Sequence, residues 1–165
     1  MLRAVVITVS DSCFQGKRVD VSGKLVVDVL RAHGFDVIGH LIVPDEQNEI
    51  EDVLRQQCDV AALVVTTGGT GVAPRDVTPE ATRAVCDRIL DGFAELMRAE
   101  GRKQTKFAPL SRSVTGTRGS SLIVNLPGSP GGARGSLEAV IGLIPHALTV
   151  LQGTVTQHDE HHGIA

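Results

Sequence analysis

The chain of 165 residues has no tryptophan, no tyrosine and four phenylalanines. That shortage argues against the aromatic platforms on which single-stranded nucleic acids stack. It also leaves core packing to Val, Leu, Ile and Ala. A basic surplus is missing too. The formal net charge of −3 gives no general positive surface for a nucleic-acid backbone, so any anionic ligand has to be held by local donors. Cysteine is scarce: Cys13, Cys58 and Cys86 form no C-x-x-C pair. Three widely spaced cysteines fit reduced thiols better than a disulfide framework. No apolar run has the length of a membrane span. The first apparent strand follows Met1 almost at once, which leaves no room for a signal peptide and makes the cytoplasm the expected location. One compact domain over residues 1–153 is the expectation at this length.

Glycine, by contrast, is concentrated where it matters. The run Val64–Thr82 reads VVTTGGTGVAPRDVTPEAT. An apolar run ends in Thr66 and Thr67, and Gly68, Gly69, Thr70 and Gly71 follow. So little side-chain bulk lets the backbone turn sharply and approach a ligand closely. Successive exposed N–H groups in such a turn favour anions. Arg75 and Asp76 come next, then Thr78 and Pro79, which read as a helix N-cap and a first-turn proline. The order strand, glycine loop, charged loop, helix points to a phosphate site, with Asp76 placed for a magnesium ion. The stretch matches neither the P-loop pattern nor G-x-G-x-x-G.

Other segments alternate between strand and helix patterns. Leu2–Val9 reads as a buried parallel strand ended by Ser10, Asp11 and Ser12. These short polar residues either line a ligand crevice or cap local backbone groups. Asp20 or Ser22 caps a helix running to about His33, with Gly34 as a left-handed stop. Val37–Val43 is the next strand. Pro44 and Asp45 close it before a helix over Glu46–Gln57, for which spacing alone makes Asp45 an N-cap. After Pro79 a helix is expected to about Leu90, then another over Phe93–Glu100. Gly101–Phe107 reads as a basic loop, Gly116–Arg118 as a turn and Leu122–Leu126 as a buried strand. A second special loop, Pro127–Gly132, follows, and Ser136 starts a terminal helix. Pro145 either kinks that helix or begins a new one. His158, His161 and His162 sit in a tail, 154–165, that is expected to be flexible.

Such alternation predicts an α/β fold with a mostly parallel sheet and helices on both faces. Right-handed crossovers then place Ser10–Ser12, Asp45, Thr67–Asp76 and Asn125–Ser129 on one edge.

The string TTGGTG-x-x-P-R-D-V-T-P-E-A-T resembles the molybdenum-cofactor biosynthesis domain of the molybdopterin adenylyltransferase family, which includes a domain of gephyrin. The likeness runs from about Arg3 to Gly153. It includes Thr8–Ser12, Asp20–Gly23, Val43–Asp45, Leu110–Arg112 and Asn125–Pro130. Lys24 stands where the family usually has proline. The resemblance implies a three-layer α/β/α sandwich, commonly trimeric. It implies Mg2+-dependent transfer of AMP from ATP to the terminal phosphate of molybdopterin, whose adenylated product passes on to metal insertion. The family's two functional aspartates fall on Asp45 and Asp76, which would hold Mg2+ directly or through water. Gly68, Gly69 and Gly71 would hold a phosphate, with Thr67 and Thr70 as hydroxyl donors. Arg75 either stabilises charge or forms a structural ion pair. Gly128 and Ser129 would shape the pterin or phosphate pocket, and Ser10 and Asp11 would line the same crevice.

Overall fold

A computed structural model describes residues 1–154; the histidines of the expected tail lie outside the described residues. The chain runs β1 (Arg3–Val9), α1 (Asp11–Phe14), α2 (Val21–Ala32), β2 (Asp36–Val43), α3 (Gln47–Cys58), β3 (Leu63–Thr67), α4 (Thr78–Val85), β4 (Arg88–Ile89), α5 (Asp91–Gly101), β5 (Thr115–Arg118), β6 (Ser121–Leu126), α6 (Pro130–Val140) and α7 (Ile144–Leu151). The six strands make one sheet in the order β2-β1-β3-β6-β5-β4. Strands β2, β1, β3 and β6 are parallel, and β5 and β4 join antiparallel at one edge.

The period-2 alternation of each strand divides the core between two faces. Ala4 and Val6 of β1, Leu63 and Val65 of β3, and Leu122, Val124 and Leu126 of β6 face one side. They pack there with Leu30, Met97, Leu137, Ile144 and Leu148 from α2, α5, α6 and α7. Val5, Ile7, Val9, Val64 and Ile123 face the other side, against Ile50, Leu54, Ala81 and Val85 from α3 and α4. Strands covered on both faces must be apolar throughout. Burying each Leu or Ile side chain there is worth roughly 1.5–3 kcal/mol, so aliphatic packing suffices without aromatic bulk.

Several local signals behave as read. Asp20 caps α2, its carboxylate accepting from the Gly23 N–H at 2.9 Å. Gly34 takes a φ of +83°. Its N–H reaches the Arg31 carbonyl while that of Phe35 reaches Leu30, a paired closure that ends the helix. Pro145 sits in the first turn of α7, a new helix after a short 3-10 turn.

Other boundaries differ. Helix α4 stops at Val85, and Arg88–Ile89 becomes an edge strand paired to Gly116 and Thr117. Gly116–Arg118 is therefore strand, and the reversal comes at Gly119, whose φ is +54°. A Cβ at Gly116 would lie 2.7 Å from the Arg88 carbonyl oxygen. The glycine there permits close strand approach, not a turn. The last long helix starts at Pro130, capped by Ser129, six residues before the expected Ser136. Pro130 has the fixed φ of a first helical residue and needs no N–H there.

Asn125 fastens the centre of the sheet. It is fully buried. Its amide donates to Thr66 Oγ1 and Thr82 Oγ1, each at 2.9 Å, and its carbonyl accepts from the Val114 N–H at 3.1 Å. These bonds tie β6 to β3, α4 and the entry to β5. Asn125→Ala should leave those groups unpaired and destabilise the fold by on the order of 2–3 kcal/mol, read as a lower midpoint of urea unfolding.

Candidate active site

Because β2, β1, β3 and β6 are parallel, their carboxyl ends share one rim. Chain order reverses around β1, with β2 on one side and β3 on the other. A crevice opens at such a switch point. The loops leaving the four strands carry Asp45, Ser10, Gly68 and Gly128 in turn. A cavity of about 420 Å3 lies among them, walled by Ser10, Thr67, Gly68, Gly69, Asp45, Asp76, Gly128 and Ser129.

The glycine loop is shaped by its neighbours. Gly68 has a φ of +100° and Gly69 one of +68°, which other residues enter only with strain. A Cβ on Gly68 would overlap the Val9 carbonyl oxygen. A Cβ on Gly128 would sit 3.3 Å from Gly68 Cα, so the two special loops touch. The Gly68 N–H donates to the Leu126 carbonyl at 3.1 Å. Among the described residues the N–H groups of Gly69, Thr70 and Gly71 find no intramolecular acceptor. Of those three residues, Gly69 lines the cavity.

Both aspartates stand beside this loop. A Cβ on Gly69 would come within 3.2 Å of Asp45 Oδ1, and one on Gly71 within 2.8 Å of Asp76 Oδ2. Asp45 does not cap α3, whose N-cap is Glu46 without a side-chain bond. Instead Asp45 and Asp11 exchange bonds. Asp45 Oδ2 accepts from the Asp11 N–H at 2.9 Å, and Asp11 Oδ1 accepts from the Asp45 N–H at 3.0 Å. Asp76 Oδ2 accepts from the Ala73 N–H at 3.0 Å, which folds the charged loop onto itself.

The geometry bears on several expected roles. Arg75 faces Asp11 at 2.6 Å and Glu46 at 2.8 Å, a structural clamp between loops; neither it nor Asp11 lines the cavity. Thr67 lines the cavity, but its hydroxyl donates to the Pro127 carbonyl at 2.7 Å. It thus braces the two loops and has no second proton to offer a ligand. Thr70 is buried and lies outside the cavity wall. Thr78 does not cap α4 either: it is the first helical residue, and its hydroxyl donates to the Gly68 carbonyl at 3.0 Å. Ser10 and Ser129 combine both readings, since each caps a helix and lines the cavity.

Sequence reasoning overlooked Arg18, Thr8, Cys13 and Ser22, which also line the cavity. Arg18 is the one cationic side chain in that wall, and no described carboxylate pairs with it. No motif signals it. Ser22 lies in the D-x-S-G match, and its hydroxyl reaches the Gly128 carbonyl at 2.6 Å. Thr8 bonds to Asp20 at 2.6 Å, and the same carboxylate meets His40 at 2.9 Å. Cysteine chemistry has little footing beyond Cys13. Burial pushes Cys58 up to about 11 and Cys86 up to about 12, so both remain thiols at neutral pH.

A second cavity, of about 450 Å3, adjoins the first through Gly128 and Ser129. Its other walls include Met97, Phe107, Ala108 and Leu110. A polar chamber thus communicates with a more apolar one.

The aspartates differ electrostatically. The Arg75 hydrogen bond, then the Asp45 backbone, holds Asp11 below its ordinary 3.8. Burial, reinforced by the charges of Asp11 and Asp76, raises Asp45 above 3.8 against the Asp11 N–H. A carboxyl whose pKa is higher folded than unfolded carries a penalty at every pH above its folded pKa. Asp45→Asn keeps the oxygen that accepts from Asp11 and removes that penalty. It should raise the thermal midpoint at pH 7. The gain should shrink as pH falls through the raised pKa towards 3.8, as scanning calorimetry across pH 3.5–7 can show.

A family model described as "Probable molybdopterin binding domain" matches residues 5–146. Molybdopterin adenylyltransferase of Helicobacter pylori is 44% identical over 159 residues, covering 94% of this chain and 90% of that protein. The molybdopterin biosynthesis enzyme MoaB of Thermus thermophilus superposes with a TM-score of 0.87 at 50% identity, covering 93% of this chain and 98% of that one. The molybdopterin biosynthesis Mog protein of Mycobacterium ulcerans does so at 0.87 and 36% identity, covering 92% and 99%. The fold and the match over almost the whole chain make this chain a member of the molybdopterin-binding family of molybdenum cofactor biosynthesis.

Proposed function

We propose that the chain is a molybdopterin adenylyltransferase, which transfers AMP from ATP to the terminal phosphate of molybdopterin and releases pyrophosphate. The observation that carries this reading is the placement of Asp45 and Asp76 in one cavity with Gly69, whose N–H has no intramolecular acceptor among the described residues. The names of full-length relatives support it.

A phosphate oxygen of molybdopterin attacks the α-phosphorus of ATP. The new P–O–P bond forms as the bond to the bridging oxygen breaks, and pyrophosphate leaves with the electron pair. A phosphate monoester, with a second pKa near 6, is already largely ionised at neutral pH. No strong general base is needed. The obstacle is mutual repulsion of two anions and charge gathering on the leaving group. The Gly69 N–H, the α6 N-terminus behind Ser129 and the Arg18 guanidinium all place positive potential on that cavity.

Among the described residues no cluster of three or more His, Cys, Asp or Glu is spaced to hold a metal. Two carboxylates at the cavity edge still fit Mg2+, which keeps several waters and takes remaining ligands from substrate phosphates. Asp45 and Asp76 would hold it, and it would supply charge neutralisation on the pyrophosphate oxygens. The neighbouring apolar cavity, joined at Gly128 and Ser129, offers the pterin a wall of Met97, Phe107 and Leu110.

A homotrimer in the cytoplasm belongs to the same reading. The edge strand β2, with Ile38, Leu41 and Ile42 partly exposed, is the apolar surface that favours assembly; sedimentation at the monomer mass would remove that part.

The decisive experiment incubates the chain with ATP, Mg2+ and molybdopterin and follows pyrophosphate. Release, together with adenylated pterin, is expected. Binding of molybdopterin without release would make the chain a pterin-binding paralogue. Asp76→Asn should lower turnover by about a hundredfold or more, the scale of losing one preorganised electrostatic group. Circular dichroism and the thermal midpoint should stay near wild type, because Asp76 is not a core residue.

A further inference from the structure

Away from the crevice a third cavity, of about 290 Å3, opens between α4, α5 and the segment leading into β5. Arg83, Arg98 and Arg112 all line it, with Ser111, Ser113 and Thr115. Asp91 is the one carboxylate in its wall.

The charges there are poorly compensated. Arg112 is engaged: it pairs with Glu80 and donates to the Gly71 carbonyl at 2.7 Å and the Asp76 carbonyl at 2.9 Å. Arg98 donates to the Ser111 carbonyl at 3.3 Å. Among the described residues no carboxylate lies within ion-pair distance of Arg83 or Arg98. Two guanidiniums without a paired carboxylate beside one small space repel one another unless an anion joins them.

An independent observation points the same way. The Thr115 hydroxyl is buried and has no hydrogen-bond partner. Buried polar atoms are rarely left unmatched, and each unmatched one asks for a missing partner. Thr115 is one of the residues that wall the cavity, and rotation of its side chain toward that space would give the hydroxyl an acceptor oxygen there.

We propose that this cavity is a second anion site, which takes a small tetrahedral oxyanion of the phosphate class. Arg83 and Arg98 supply the charge, and Thr115 donates from the floor. Because Arg112 also carries the backbone of Gly71 and Asp76, occupancy at this site is felt at the crevice. Binding here is read without turnover, so it stands or falls separately from adenylyl transfer.

The test titrates the whole chain with inorganic phosphate and, separately, with pyrophosphate, following backbone amide resonances and heats of binding. Shifts at Thr115 and Arg98 are expected with at least one ligand. A response to phosphate identifies the free ion as the source, and a response to pyrophosphate alone identifies the released product. Replacing both Arg83→Gln and Arg98→Gln should weaken the affinity read at Thr115 by about tenfold or more. Thr115→Val should weaken it too, while leaving the unliganded thermal midpoint unchanged or higher, because an unmatched hydroxyl has gone. Shifts confined to Gly69–Gly71, or an affinity indifferent to the double replacement, would overturn the proposal.

Discussion

The close passage of Gly68 under the Val9 carbonyl is the constraint on which the site rests. β1 and β3 are in register, with Thr8 opposite Thr67, so the chains leaving them start side by side. Only a residue without a Cβ, and with φ at +100°, can turn away at that point. Gly128 then closes against Gly68 from the β6 side. Once these backbones are in contact, the cavity has a fixed floor. Its depth is set by chain geometry and not by side chains that can swing.

Charge around that floor follows a division of labour. Arg75 and Arg112 both spend their guanidiniums on holding loops together. Asp11 is committed to Arg75 and to the Asp45 backbone. Asp45 is thereby oriented by a neutral N–H and not neutralised by a direct ion pair. One of its oxygens stays turned to Gly69. A carboxylate fixed but unpaired is what a hard cation needs; one already salt-bridged would have to break that bridge first.

The sheet was legible because strands buried on both faces must be apolar, and the parallel strands β1, β3 and β6 read that way. Their polar exits, Ser10, Asp45, Gly68 and Gly128, were legible as a rim for the same reason. The β4–β5 edge was not. Its strands are two and four residues long and contain Gly116 and two threonines, so turn composition masks pairing that tertiary contact imposes. Individual donors were also hidden. Thr67 and Arg75 are the residue types that bind phosphate, but each is claimed by a neighbour distant in sequence, Pro127 and Asp11. Arg18 gave no signal, because its value comes from the shape of the cavity it enters.

These features bear jointly on what reaction the crevice can support. Asn125 locks β3, β6 and α4, Ser22 locks α2 to Gly128, and Thr78 locks α4 to Gly68. Each bond commits a polar side chain to holding the scaffold. Fixed charge and backbone donors remain at the rim. Such a site is poor at moving protons and good at holding oxyanions in set positions, without reorganising as charge shifts between them. Phosphoryl-group chemistry between reactants that are already ionised asks for little else. The cross-links between the loops and the donors left at the rim are therefore two sides of one arrangement.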